Sequence, residues 1–170
     1  SWISRVRLLV ISVIGGDSMY GQAKAIFGKI KHLMEAAGGT MDDIVKVDIF
    51  VTDITARKVF VYSPDGTFVA AIGGANAFES PSGIAIDDAL GRVYVVDSKK
   101  HRVSVYSLDG FSALSVIGSR GVGKDGRFNF PTNAAVDSRG NLYVVDTGNF
   151  RVQVFDKTGK YVRSIGRPGN

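Results

Sequence analysis

The chain has 170 residues, 45% hydrophobic and 22% charged, enough to bury one ordinary core. It contains no Cys, which excludes disulfides, thiolate metal sites and Cys nucleophiles. Residues 1 to 55 hold six Lys/Arg and six Asp/Glu and residues 56 to 170 the other fifteen and ten, so the whole net charge of +5 falls on the C-terminal part, and any attraction to polyanions belongs there.

At the N-terminus Arg5 and Arg7 precede the apolar run Leu8 to Ile14. The run is short and no small-residue cleavage pattern follows it, so it predicts a buried β-strand rather than a secretory leader. No run approaches the ~18 apolar residues that a membrane helix needs, and no membrane partner is expected. Next, Ala23, Ile26, Phe27, Ile30, Leu33, Met34 and Ala37 follow 3.6-residue spacing, with Lys24, Lys29, Lys31 and Glu35 opposite. That pattern predicts an amphipathic helix, started by Asp17 or Ser18 and ended by Gly38-Gly39.

From residue 46 onward the chain repeats itself. "VDIFVTDITARKVFVYSPDGTFVAAIG" (47 to 73), "GRVYVVDSKKHRVSVYSLDGFSALSVIG" (91 to 118) and "GNLYVVDTGNFRVQVFDKTGKYVRSIG" (140 to 166) align with one inserted residue in the second. Each copy has a strand ending in Asp (Asp53, Asp97, Asp146) and a tight turn, then a second strand opening on a basic residue (Lys58, Arg102, Arg151). A turn with Gly66, Gly110 or Gly159 follows, and a last strand closes on Ile-Gly. A further short strand after Pro81 or Pro131 precedes the second and third copies. Four short antiparallel strands repeating at this period predict β-propeller blades. The reading divides the chain into residues 1–45, a strand plus a helix, and residues 46–170, with blades 46–73, 74–118 and 119–166. The fold class is mainly β, a partial propeller of about three blades.

The Asp and basic residues lie five apart across each tight turn, so they face one another on adjacent strands. A feature present in every copy reads as a structural ion pair rather than as the rim of a single site.

The order of strands, Pro, Asp, basic residue and closing Gly resembles the NHL-repeat family of β-propellers, carried by "PSGIAIDDALGRVYVVDSKKHRVSVYSLDGFSALSVIG" and "PTNAAVDSRGNLYVVDTGNFRVQVFDKTGKYVRSIG" over residues 46–170. The resemblance implies a ring of about six blades and a platform for protein or RNA partners more often than an enzyme. This chain holds two full blades and three strands of another. Separately, "IKHLMEAAGGTMDDIVKVDIFVTDI", within residues 17–54, resembles the RidA/YjgF family of trimeric enamine and imine hydrolases. The family's second half, with its substrate-anchoring arginine, has no counterpart here. The strand "IFVTDI" suits both families, which points to a hybrid joined inside a shared strand, natural or engineered. The competing reading is an NHL protein with a helical insertion in its first blade.

An open propeller fragment exposes apolar blade faces, so the expected assembly is a dimer of three-bladed halves, or a trimer if the RidA-like part governs. The two histidines, His32 and His101, read as solvated and do not make a metal site; no metal or other cofactor is expected. "GSRGVGKDG" lacks phosphate-loop spacing and reads as an inter-blade loop. No Ser-His-Asp or other catalytic set stands out. The chain is therefore expected to be a non-catalytic interaction module, with an RNA platform and a vestigial imine deaminase as alternatives. The expected partner surface, for protein or RNA, is the set of basic loop residues Lys99, Lys100, His101, Arg120, Lys124 and Arg127, with Phe128 and Phe130 nearby. Phe130, directly before Pro131, reads as core.

Overall fold

The computed structural model describes residues 28, 31, 32, 35, 36, 38, 48–63 and 67–166. The strand expected over Leu8 to Ile14, the helix start at Asp17 or Ser18, most of the helix's apolar stripe and the turn glycine Gly66 lie outside those residues. Gly28, Lys31, His32, Glu35 and Ala36 are helical and exposed, with Lys31 Nζ 3.9 Å from Glu35. Gly38 takes φ 79° and its N–H donates to the Glu35 carbonyl at 3.0 Å, the left-handed stop expected of a helix-ending glycine.

Eleven strands follow: β1 (Ile49–Asp53), β2 (Lys58–Tyr62), β3 (Phe68–Ile72), β4 (Pro81–Asp87), β5 (Arg92–Asp97), β6 (Arg102–Ser107), β7 (Ala113–Ile117), β8 (Pro131–Val136), β9 (Leu142–Asp146), β10 (Arg151–Phe155) and β11 (Tyr161–Ile165). They form three antiparallel meanders, β1-β2-β3, β4-β5-β6-β7 and β8-β9-β10-β11. The protein is thus mainly β and a partial propeller. A register shift recurs in each blade at one place, between Val61 and Tyr62, Val105 and Tyr106, and Val154 and Phe155. A bulge repeated at equivalent positions is a built feature that increases local twist.

The blades stack face to face, which is why the strands of the middle blade are apolar on both sides. In β5, Val93 and Val95 turn toward the first sheet while Tyr94 and Val96 turn toward the third. The first seam packs Phe50, Val59, Val61 and Ile72 against Phe78, Ile84, Val93, Val95 and Tyr106. The second packs Tyr94, Val96, Val103, Val105 and Ile117 against Phe128, Ala134, Leu142, Val144 and Phe155. Each seam is plugged by a phenylalanine from the inter-blade loop lying on the glycine that closes the preceding blade. A Cβ on Gly73 would sit 2.6 Å from the Phe78 ring, and one on Gly118 would sit 2.3 Å from the Phe128 ring. Only glycine lets the ring come that close.

The fully described connections between strands fall at two ends. The turns 54–57, 98–101 and 147–150 and the inter-blade loops 73–80 and 118–130 share one, called here the loop end; the turns 88–91, 137–141, 108–112 and 156–160 share the other. At this far end Asp137 accepts hydrogen bonds from Asn141 Nδ2 and N, Arg139 N and the Tyr143 hydroxyl. These donors, Asn141 foremost, lower its pKa from 3.8 to about 2. A depressed carboxylate contributes stability that is present above the unfolded value and is lost as pH falls through about 2. The Asp137 carboxyl carbon is therefore expected to titrate near 2 by NMR, and Asn141→Ala to move that midpoint upward.

Candidate functional site

The loop end is organised by the three aspartates. In register, Asp53 stands opposite Lys58, Asp97 opposite Arg102, and Asp146 opposite Arg151. The ionic contact closes in the third blade, where Arg151 Nε lies 3.0 Å from Asp146 Oδ2. In the second, the Asp97 carboxylate is occupied by the N–H groups of Glu79, Ser80 and Lys100 at 2.8 to 3.1 Å, and Arg102 donates to the Ala77 carbonyl instead. In the first, Asp53 accepts from Ala56 N at 2.8 Å and Lys58 is exposed. The shared job of Asp97 and Asp146 is to hold the incoming inter-blade loop, since Asp146 Oδ1 likewise takes Asn129 N at 2.7 Å.

The loop 118–130 is clamped from both sides. Asn149 accepts from Gly123 N at 3.1 Å and donates to the Gly121 carbonyl at 3.0 Å, while Gln153 donates to the Arg127 carbonyl. On the other side Phe130 N donates to His101 Nδ1 at 3.0 Å, and the two rings stand 4.5 Å apart. An accepting Nδ1 places the ring proton on Nε2.

These contacts correct two expectations. His101 is 6% exposed, packed and hydrogen-bonded rather than solvated, because a loop 29 residues away closes over it. Phe130, expected in the core, is 49% exposed with φ 47°: its left-handed backbone turns the ring outward onto His101, and Phe128 fills the core in its place.

All six basic-loop residues come to this one end. Lys99, Arg120, Lys124 and Arg127 are exposed. Lys100 is half-buried, its ammonium on the carbonyls of Asn76 and Ala77. One feature escaped the sequence reading: Ser82 Oγ lies 3.1 Å from Ser98 Oγ, and Thr132 Oγ1 lies 2.7 Å from Thr147 Oγ1. A hydroxyl follows both the blade-opening proline and the strand-ending aspartate in the two full blades, so the aligned repeat carried the signal. Among the described residues no group of three or more His, Asp or Glu is placed to hold a metal ion. An open cleft of about 590 Å³ lies beside this end, between Gly123, Phe150, Tyr161 and Gly166.

Three family models match parts of the chain: a 6-bladed beta-propeller over residues 42–118, an NHL repeat over 128–155, and endoribonuclease L-PSP over 11–72. Residues 42–72 satisfy the first and third together, so the overlap is longer than the single strand expected. No curated protein sequence matches the chain. Similar solved structures include hydrazine synthase from Kuenenia stuttgartiensis (TM-score 0.57, 17% identity, covering 69% of this chain and 32% of that one). Virginiamycin B lyase from Staphylococcus aureus gives 0.56, 12%, 72% and 38%, and a gluconolactonase from Xanthomonas campestris gives 0.51, 21%, 66% and 35%. The chain spans about a third of the length of these structures, and at such identities the likeness is one of fold. The expectation of a non-catalytic chain is nevertheless overturned: these neighbours are enzymes, and so is the family of the L-PSP match.

Proposed function

We propose that this chain, propeller in kind over residues 42–118 and 128–155, is an interaction module that receives a single-stranded polyanion, RNA, on its loop end. The observation that carries the reading is the gathering of exposed Lys99, Arg120, Lys124 and Arg127 at one end, the end that also carries the half-exposed ring of Phe130. Cations neutralise phosphates and release counterions, while an exposed ring offers a stacking surface to any base. Of the neighbouring Thr132 and Thr147 hydroxyls one O–H is used within the pair, and the other can donate to a sugar or phosphate oxygen. Asp125, the acid within the inter-blade loop, is held by Arg151 at 3.4 Å, which reduces its opposition to an anion.

Fluorescence anisotropy with a labelled oligouridine tests the reading. Four phosphate contacts on a single strand predict a slope of log affinity against log salt of about −3. Lys99→Glu with Lys124→Glu is expected to weaken binding at least tenfold at low salt and to flatten that slope by about 1.4. Phe130→Ala is expected to weaken binding by about 1–3 kcal/mol with the slope unchanged. A flat isotherm for the parent chain at low salt rules the reading out.

A further inference from the structure

Aspartate followed by glycine is a chemically restless pair. The glycine amide nitrogen can attack the aspartate carboxyl carbon, because no side chain shields it and its backbone bends freely. The chain carries Asp65-Gly66, Asp109-Gly110 and Asp125-Gly126. The first lies outside the described residues; the other two are described, and the fold treats them differently.

Asp109 and Gly110 are both exposed, in the turn between β6 and β7 at the far end of the blades. Among the described residues no hydrogen bond holds the Asp109 carboxylate or the Gly110 N–H. A Cβ built on Gly110 would meet nothing within 4 Å, so the approach is uncrowded. The Ser107 hydroxyl donates to the Asp109 carbonyl oxygen. That bond polarises the amide joining Asp109 to Gly110 and makes its N–H, the attacking group, more acidic. Asp125-Gly126 is held at both reacting groups instead. The Gly126 N–H donates to Gln153 Oε1 at 2.8 Å, and Asp125 Oδ1 lies 3.4 Å from Arg151 Nη1. Gln153 is itself fully buried and fixed by donating to the Arg127 carbonyl and to Asp146.

We propose that Asp109 is a site of spontaneous backbone modification, passing through a cyclic imide to isoaspartate, and that the clamp on the loop 118–130 protects Asp125 from the same change. In the first step the Gly110 nitrogen bonds to Cγ of the protonated carboxyl and a Cγ–O bond breaks. The departing hydroxyl takes the amide proton and leaves as water. Water then adds to one imide carbonyl and returns a proton to nitrogen. Addition at Cγ restores aspartate. Addition at the backbone carbonyl carbon breaks its bond to nitrogen, so the chain runs on through Cγ and a free α-carboxylate remains. The water lost is the water regained, and no oxidant or reductant takes part. The site is remote from the loop end, so it does not depend on what that end receives.

The test is to warm the folded chain at neutral pH for several weeks, with a parallel sample in urea, and map the peptides. Chymotrypsin separates the pairs, since Tyr106 and Phe111 bracket Asp109, Phe128 closes the peptide of Asp125, and Tyr62 and Phe68 bracket Asp65. Isoaspartate is counted by enzymatic methyl transfer to its freed α-carboxylate. Breaking the Gly126 hydrogen bond before attack is expected to make Asp125 about tenfold slower than Asp109 in the folded chain. In urea, with neither pair held, the two rates are expected to agree within about twofold. No isoaspartate at Asp109, equal rates in the folded chain, a faster Asp125, or a tenfold difference that persists in urea overturns the inference.

Discussion

Asp146→Ala is expected to destabilise the protein by about 3–5 kcal/mol in urea unfolding, the cost of removing one partner of a buried charge pair. Asp146 is fully buried, and one oxygen takes Asn149 Nδ2, Arg151 Nε and Gln153 Nε2 while the other takes Asn129 N. Removing the carboxylate leaves a guanidinium whose side chain is 8% exposed with only the exposed Asp125 as counter-ion, and strands the Asn129 N–H, while the Asn149 and Gln153 amides each keep one acceptor, the Gly121 and Arg127 carbonyls. The equivalent change Asp53→Ala is expected to cost about 1 kcal/mol or less, because Asp53 is only partly buried and holds one turn. Equal costs in the two blades would show that the network in the third adds nothing to the turn. A loss of the expected size would consume much of the stability of an ordinary domain, roughly 5–15 kcal/mol.

Phe128→Ala is the second large effect, expected to cost about 3–5 kcal/mol by emptying a closed site. The ring is fully buried, stands 5.5 Å from Phe155 and lies on Gly118, so the cavity would open at the centre of the second seam. Neighbouring β-strands are held by ladders and have little freedom to collapse into it. Gly118→Ala attacks the same contact from the other side. Its Cβ would fall 2.3 Å from the ring at φ 78°, so ring and backbone must both shift. Both variants are expected to lower the urea midpoint while leaving the Asp137 carboxyl midpoint near 2, since that turn lies at the far end of the blades. A Phe128→Ala variant within 1 kcal/mol of the parent would mean that the two blades are not packed through this ring.

What was legible in the chain was whatever is set by neighbours a few residues away. Period-two runs of Val, Ile, Phe and Tyr between Gly and Pro punctuation place the strands, and the spacing of Asp146 and Arg151 puts them opposite one another. What escaped depends on loops brought from another blade. Asp97 and Arg102 have the same spacing and the same register as Asp146 and Arg151, yet the N–H groups of Glu79 and Ser80 occupy the carboxylate that the arginine would have met. His101 looks solvated until Phe130 covers it, and Phe130 looks like core until its left-handed backbone turns it out. The paired hydroxyls were readable in the aligned repeat, but they become a feature only when two inner strands set Thr132 beside Thr147.

The chemical shifts of the backbone amides on addition of an oligouridine test most directly whether the loop end is where a partner is received. The account predicts that residues 98–101 and 120–130 move, with the turns at 108–112 and 156–160 unchanged. Shifts confined to the far end, or none at low salt, would contradict it.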